Sequence, residues 1–155
     1  MIIRRFEKCD AQTVSKLVVK TLRVSNLKDY SAEEIERLCA LHTPAYIIER
    51  SGWTHFYVAA DGEKIIGCGA IGPYWDKTDE SCLFTIFVLP EYQGRGVGRA
   101  IVETLERDGF ALRAKRIEVH ASVTGVPFYL KLGYRHKNGE EILTGDGLYN
   151  LEKFR

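Results

Sequence analysis

The sequence predicts an α/β domain with a mixed, mostly antiparallel sheet of about seven strands flanked by helices, and three observations support it. Asp61-Gly62 separates two β-rich segments, and this dipeptide is typical of a tight antiparallel hairpin. The segment Cys82 to Val88 is almost wholly apolar, which favours a strand buried on both faces. An amphipathic helix from about Gly96 to Ala111 leads into the alternating segment Ile117 to Ala121. This βαβ crossover predicts that the fourth and fifth strands are parallel.

The N-terminal half contains one strand, three helices and the hairpin. Ile2 to Phe6 predicts the first strand, and Asp10 is placed to cap the helix that follows it. Ser31-Ala32-Glu33-Glu34 forms a capping box, and Thr43-Pro44 supplies a cap with a first-turn proline, so two shorter helices are expected there. The predicted hairpin strands are His55 to Ala60 and Lys64 to Ile71.

The C-terminal part predicts a short helix and a last hairpin. Val126 to Leu132 has the apolar spacing of a helix that Gly133 ends. Asn138-Gly139 and Gly145-Asp146-Gly147 separate strand-like pieces. No linker or repeat interrupts the chain, and 155 residues suit one core. We therefore expect a single domain over residues 1–155.

Composition excludes several classes of partner. The chain has 22 Lys and Arg against 21 Asp and Glu, so its formal charge of +1 gives no field that would attract a nucleic acid. No apolar run is long enough to span a bilayer, and no membrane partner is expected. The cysteines show no CxxC spacing and have apolar neighbours, which favours reduced thiols and a cytoplasmic protein. They are Cys9, Cys39, Cys68 and Cys82.

The loop from Gln93 to Gly98 is the clearest candidate for a binding site. Three alternating glycines connect a buried strand to an amphipathic helix, so main-chain N–H groups and the positive helix end can converge on a pyrophosphate. The alternative is a glycine-rich helix entry without a ligand. A P-loop is excluded because no Lys follows Gly98, and a dinucleotide fingerprint fails at Arg99. A literal GxGxxG, from Gly67 to Gly72, lies within a strand and opens no helix.

Two segments resemble the motifs of the GNAT N-acetyltransferase superfamily. Val88 to Gly98 is similar to its acetyl-CoA signature. The segment Ala121 to Tyr134, with Phe128-Tyr129, is similar to its second motif, although Ser122 and Gly125 stand where Asn and Ala are frequent. The order of predicted elements also resembles this superfamily, so the resemblance covers essentially the whole chain.

The resemblance implies acetyl-CoA as cosubstrate. It implies that the pantetheine arm pairs with the main chain of Phe87 and Val88 between diverging fourth and fifth strands. Ser122 and Tyr129 would also contact the cosubstrate. Main-chain amides would hold the pyrophosphate from Gln93, Gly94, Arg95, Gly96, Val97, Gly98 and Arg99. No metal is expected, because the four histidines show no HxH or HExxH spacing.

The implied chemistry assigns three catalytic residues. The Val88 N–H would stabilise the tetrahedral oxyanion, and Tyr129 occupies the family's general-acid position, although a Tyr there could also be a buried anchor. Glu80 at the head of the fourth strand could be the base that takes the amine proton, or simply a solvated strand end. His120 could face the cleft, but a lone strand His is more often structural.

Two functions follow, and the residues leave both open. The first is an enzyme that moves acetyl from acetyl-CoA to a primary amine by direct attack in a ternary complex. The second is an acyl-CoA sensor or interaction domain without turnover. Gly67 and Gly69 could also admit an acyl group longer than acetyl. The acceptor could be a small molecule or a peptide, and aromatic residues around Trp53 and Trp75 leave room for a homodimer surface.

Overall fold

A seven-stranded mixed sheet runs through the molecule, as predicted. The computed structural model describes residues 1–155. The sheet order is β1-β2-β3-β4-β5-β7-β6, and every neighbouring pair is antiparallel except β4 and β5. The strands are β1 Ile2–Arg5, β2 His55–Asp61, β3 Lys64–Pro73, β4 Glu80–Val88, β5 Arg116–Ser122, β6 Arg135–His136 and β7 Leu148–Phe154. The helices are α1 Ala11–Ser25, α2 Ala32–Leu41, α3 Pro44–Ser51, α4 Val97–Leu105, α5 Gly109–Leu112 and α6 Val126–Lys131.

Helices cover both faces of the sheet, so apolar side chains on both faces are buried. On one face Ile101 of α4 lies directly above Gly67 and Gly69 of β3, where an added Cβ would come within 2.9 and 2.6 Å of it. These glycines therefore allow a helix to approach the strand closely, and they are not part of a nucleotide-binding motif. The opposite face of β3 and β4 is covered by α1, which packs on α2 and α3. No helix is long and apolar enough to cross a membrane.

Two local predictions were wrong because two aspartate side chains form hydrogen bonds other than the expected ones. The helix expected from Gly96 to Ala111 is broken into α4 and α5, and Asp108 caps the second by accepting from the Phe110 N–H at 2.8 Å. Asp10 does not cap α1 through its side chain. Its carboxylate instead accepts from the Glu7 N–H and from Arg4, each at 2.8 Å.

The strands β4 and β5 pair over only four residues each, and this opening positions the site. Their register runs from Glu80 opposite Arg116 to Leu83 opposite Val119. Beyond Leu83, β4 has a bulge at Thr85, which has a positive φ of 54°. The prediction of a strand buried on both faces holds only for Ser81 to Leu83, because the residues from Phe84 to Val88 are half-buried. The wider end of this gap adjoins the glycine loop.

Candidate active site

The glycine loop has the backbone geometry of an anion site. Gly94 and Gly96 have φ values of 75° and 82°, in the left-handed region that other residues avoid. Gly96 is the last residue before α4, so the turn directs successive N–H groups to the same side as the positive end of the helix.

Six consecutive main-chain N–H groups in this loop have no partner within the protein. None of the amides from Gly94 to Arg99 donates a hydrogen bond, and the first helical bond of α4 is from the Ala100 N–H to the Gly96 carbonyl at 3.0 Å. This series of free N–H groups is one residue shorter than predicted, because the Gln93 N–H donates to the Pro90 carbonyl at 3.3 Å. This arrangement can accept a polyphosphate, whose oxygens satisfy many donors at once.

Gln93 has a different role from the one expected of it. Its side-chain amide donates to the Ser25 hydroxyl at 2.9 Å and to the Val88 carbonyl at 3.0 Å. It therefore ties the glycine loop both to α1 and to the end of β4. These contacts join the loop to the strand edge, and no local pattern in the sequence indicated them.

The end of β4 presents main-chain groups to the gap. The Leu89 N–H donates to the Ile66 carbonyl at 2.9 Å, so in this antiparallel register Cys68 and Phe87 form a hydrogen-bonded pair and Gly67 and Val88 do not. The polar main-chain groups of Phe87 therefore point to β3, contrary to the expectation that they face the cosubstrate. Those of Val88 point away from β3, into the gap, and its N–H is available as a donor.

Tyr129 lies in the core beside this gap. Only 7 % of it is exposed, and its ring packs edge-on against Phe128 and Tyr134, with centroids 4.9 and 5.9 Å away. Burial raises the pKa of the Tyr129 phenol well above its ordinary value, and the proximity of Cys82 adds to the shift. The hydroxyl has no hydrogen-bond partner within the protein. It is therefore a protonated phenol that is free to donate.

Ser122 has a local structural partner. Its hydroxyl oxygen accepts from the Gly125 N–H at 3.2 Å and caps the turn that leads into α6. Thr124 in the same turn is bound by Asp29, which accepts from the Thr124 N–H at 3.0 Å and from its hydroxyl at 2.7 Å. Both contacts fix the position of α6, which carries Tyr129.

Glu80 is not placed as a base for this gap. Its carboxylate accepts from Arg116 at 2.8 Å and is mostly buried. Glu80 and Val88 also stand at opposite ends of β4, which at roughly 3.3 Å per residue puts them about 25 Å apart. A base must reach the amine directly or through one water molecule. The structure therefore gives Glu80 a role in an ion-pair network.

That network contains a further residue, Glu118, that no sequence motif singled out. Glu118 is 1 % exposed and accepts from Arg116, from Lys137 at 2.8 Å and from His120 at 2.6 Å. Arg116 also donates to Glu152 at 2.7 Å. The signal in the sequence is the alternation of Arg116, Glu118 and His120, which places three polar side chains on one face of β5.

The buried thiols near the gap are not nucleophiles. Burial raises the pKa of Cys82 to about 12, and it does the same for Cys68 in β3. A thiol with such a pKa carries almost no thiolate at neutral pH. No group of three His, Cys, Asp or Glu side chains is arranged to hold a metal ion.

Comparison with known proteins identifies the class to which this fold belongs, which is that of the acetyltransferases. The chain belongs to the GNAT acetyltransferase family, because the model of the acetyltransferase (GNAT) domain matches residues 52–136.

Two curated relatives come from Bacillus subtilis (strain 168), and both are described as uncharacterized N-acetyltransferases. YjcF is 36% identical over 99 residues, which cover 63% of this chain and 67% of the relative. YlbP is 35% identical over 101 residues, which cover 58% of this chain and 62% of the relative. The match thus spans about two thirds of the length of each relative.

The fold also matches a solved structure, the PaiA N-acetyltransferase from Thermoplasma acidophilum in complex with coenzyme A. The TM-score is 0.84 at 17% identity, and the match covers 99% of this chain and 98% of that chain. At this identity the similarity concerns the fold alone.

Proposed function

We propose that this protein is an acetyl-CoA-dependent N-acetyltransferase that moves acetyl to a primary amine by direct attack in a ternary complex, with residues 1–155 as one acyl-CoA N-acyltransferase domain. The observation that carries the proposal is the series of free N–H groups from Gly94 to Arg99 at the end of the gap between β4 and β5. A CoA pyrophosphate matches these donors, and the gap beside them admits the pantetheine arm. Arg95 within the loop adds positive charge, whereas Arg99 is paired with Glu103 at 2.9 Å.

The acyl end of the cosubstrate would lie along β4. The Val88 N–H is the donor we propose for the oxyanion that forms when the amine attacks the thioester carbonyl. Thr85 and Ile86 stand outside the register with β3. The Thr85 carbonyl accepts from the Cys68 thiol at 3.3 Å, so the main-chain groups of Ile86 are the additional candidates for contacts with the pantetheine arm. Because the polar main-chain groups of Phe87 point to β3, Ile86 takes the place of Phe87 beside Val88 in the proposed pairing with the pantetheine arm.

Tyr129 is the proposed general acid. The C–S bond breaks as the tetrahedral intermediate collapses, and the leaving thiolate takes the phenolic proton. A phenol without a protein partner can donate it without first breaking another hydrogen bond. Because Cys82 stays protonated, direct transfer to the amine is favoured over an acyl-cysteine intermediate.

The test combines binding with turnover. Isothermal titration with acetyl-CoA and with CoA measures occupancy of the loop, and thiol release is then followed across a panel of small amines and peptide N-termini. We expect saturable binding and amine-dependent thiol release in the wild type. Absence of binding would refute the assignment of the glycine loop.

Tyr129→Phe and Tyr134→Phe form a matched pair for the acid. Both remove one phenolic oxygen from the core, but the Tyr134 hydroxyl donates to Glu106 at 2.9 Å, away from the gap. Tyr129→Phe is expected to lower kcat by about 100-fold or more with acetyl-CoA affinity unchanged. Tyr134→Phe should keep kcat and lose stability. Equal kcat in Tyr129→Phe and wild type would remove Tyr129 from the mechanism.

A non-catalytic acyl-CoA sensor is the second candidate, and one observation favours it. The carboxylate expected to act as base, that of Glu80, is engaged by Arg116 at 2.8 Å. Tight binding of acetyl-CoA without thiol release for any amine would support the sensor.

A further inference from the structure

We propose that His120, oriented by Glu118, is the base that takes the proton from the acceptor amine. The inference rests on the proposed function and adds a residue to that reaction. An alkyl ammonium ion has a pKa of about 10 and cannot attack until it loses a proton. The enzyme therefore needs a proton acceptor at the gap, and Glu80 does not supply one.

His120 stands where β4 and β5 separate. The last paired residues are Leu83 and Val119, so His120 is the first residue of β5 beyond the pairing. Its side chain lies on the same face as Glu118, which is opposite Cys82 of β4. The side chain is 43% exposed, so a small molecule can reach it.

The hydrogen bond to Glu118 prepares the imidazole as a base. His120 Nε2 lies 2.6 Å from Glu118 Oε2. Because a carboxylate only accepts, Nε2 carries the hydrogen, and Nδ1 of the neutral ring keeps its lone pair. No other protein group bonds to Nδ1, so the buried carboxylate fixes both the tautomer and the orientation of the ring. Glu118 is thus a positioning residue.

Charged side chains surround the dyad on this face of the sheet. The polar cluster contains three carboxylates, on Glu80, Glu118 and Glu152, against two cations, on Arg116 and Lys137. Tyr74 contacts both cations through its ring and hydroxyl but adds no charge. Arg50 of α3 lies over the Phe84 ring and adds a third cation on the same face.

Acid and base would then act from opposite sides of the sheet. Val119 and Ala121 alternate with His120 and point into the core that contains Tyr129. An amine that enters beside His120 therefore approaches the thioester from one face. Tyr129 protonates the departing sulfur from the other. In balance, the ammonium nitrogen first loses one proton to Nδ1 and then forms the C–N bond as a neutral amine. As the C–S bond breaks, the phenol gives its proton to the thiolate, and the second proton of the nitrogen passes to the phenolate and restores the phenol. One proton then remains on His120.

The experiment compares His120→Gln with His55→Gln. His55 is the chain's matched control, because its Nδ1 lies 2.7 Å from the buried Asp108 and its side chain is 38% exposed, but it sits at the start of β2. Gln can still donate to the carboxylate but cannot take a proton. We measure kcat and KM from pH 6 to about pH 10, the range over which an alkyl amine becomes neutral, with an alkyl amine and with a hydrazide, which is already neutral.

With the alkyl amine at pH 7, His120→Gln is expected to lose about 100-fold or more in kcat while KM for acetyl-CoA stays unchanged. The deficit should shrink as pH rises, and the hydrazide should restore most of the rate. His55→Gln should follow the wild type throughout. Glu118→Gln should lower kcat with KM for acetyl-CoA unchanged, because the carboxylate that orients the imidazole is lost.

Three results would overturn the inference. A wild-type pH profile in His120→Gln would exclude His120 as the base. An equal loss with the alkyl amine and the hydrazide would show that the residue only shapes the site. If the wild type releases no thiol with any amine, the proposed function fails first, and the role of His120 fails with it.

Discussion

Replacing Glu118 by Gln should destabilise the protein in a way that depends strongly on pH. Glu118 is 1 % exposed and is surrounded by Arg116, Lys137 and His120. Gln keeps the size of the side chain but removes its charge. Arg116 and Lys137 then face one carboxylate fewer in a buried site, where an unbalanced charge is costly.

The magnitude follows from the pKa of Glu118. Burial alone would raise it, but hydrogen bonds from His120 and Lys137 and the hydrogen bond and charge of Arg116 hold it at about 2, against an ordinary value of 4.5. A difference of 4.5 − 2 = 2.5 pKa units corresponds to about 3 kcal/mol at 1.36 kcal/mol per unit. Because the pKa is lowered in the folded protein, this stabilisation is present above pH 4.5 and is lost as pH falls towards 2.

Urea unfolding of both proteins at pH 7 and pH 3 tests this reasoning. The difference in unfolding free energy between wild type and Glu118→Gln should be about 3 kcal/mol at pH 7 and about half of that at pH 3. Glu103→Gln is the control, since Glu103 makes an exposed pair with Arg99 at 2.9 Å, and such pairs contribute about 0–1 kcal/mol. A difference below about 1 kcal/mol at pH 7, or one that does not shrink in acid, would refute the proposed energetics.

Two further predictions concern the glycine loop and the thiols. Gly96→Ala should lower the unfolding free energy by about 1–2 kcal/mol because Gly96 has a positive φ, and it should also weaken acetyl-CoA binding. Gly109→Ala is the control, because an added Cβ there also meets no neighbouring atom but the backbone is that of an ordinary helix, so this change should be neutral or stabilising. Thermal unfolding and calorimetric titration distinguish the two variants. A thiol reagent should modify one cysteine in the native protein, the exposed Cys9, and all four in denaturant; rapid modification of two or more native thiols would contradict the described burial.

Signals confined to a few residues predicted the local structure well. The Ser31 and Thr43 hydroxyls accept from the N–H groups of Glu34 and Tyr46, at 3.1 and 3.2 Å, as the capping motifs indicate. Gly62 turns the predicted hairpin with a φ of 61°. Each of these features depends on atoms within a few residues of one another, so the sequence pattern contains the whole interaction.

The same difference between local and long-range interactions applies to the candidate site. The backbone geometry of the glycine loop was predictable because the helix N-terminus and its glycines are adjacent in the chain. The role of Glu80 was not, because its partner Arg116 is 36 residues away and meets it only through the parallel register. The orientation of Phe87 was missed for a related reason, since the register with β3 decides which main-chain groups face the gap.

The sequence by itself determined the order of elements, the parallel crossover and the glycine loop, because periodicity, turn residues and caps act over short stretches of chain. Tertiary structure alone decided that β4 and β5 separate after Leu83 and Val119, that Gln93 joins the loop to α1, and that Glu118 collects Arg116, Lys137 and His120. These features depend on strand register and on side chains that meet across the sheet. A shift of one residue in register would move each of these side chains to the other face.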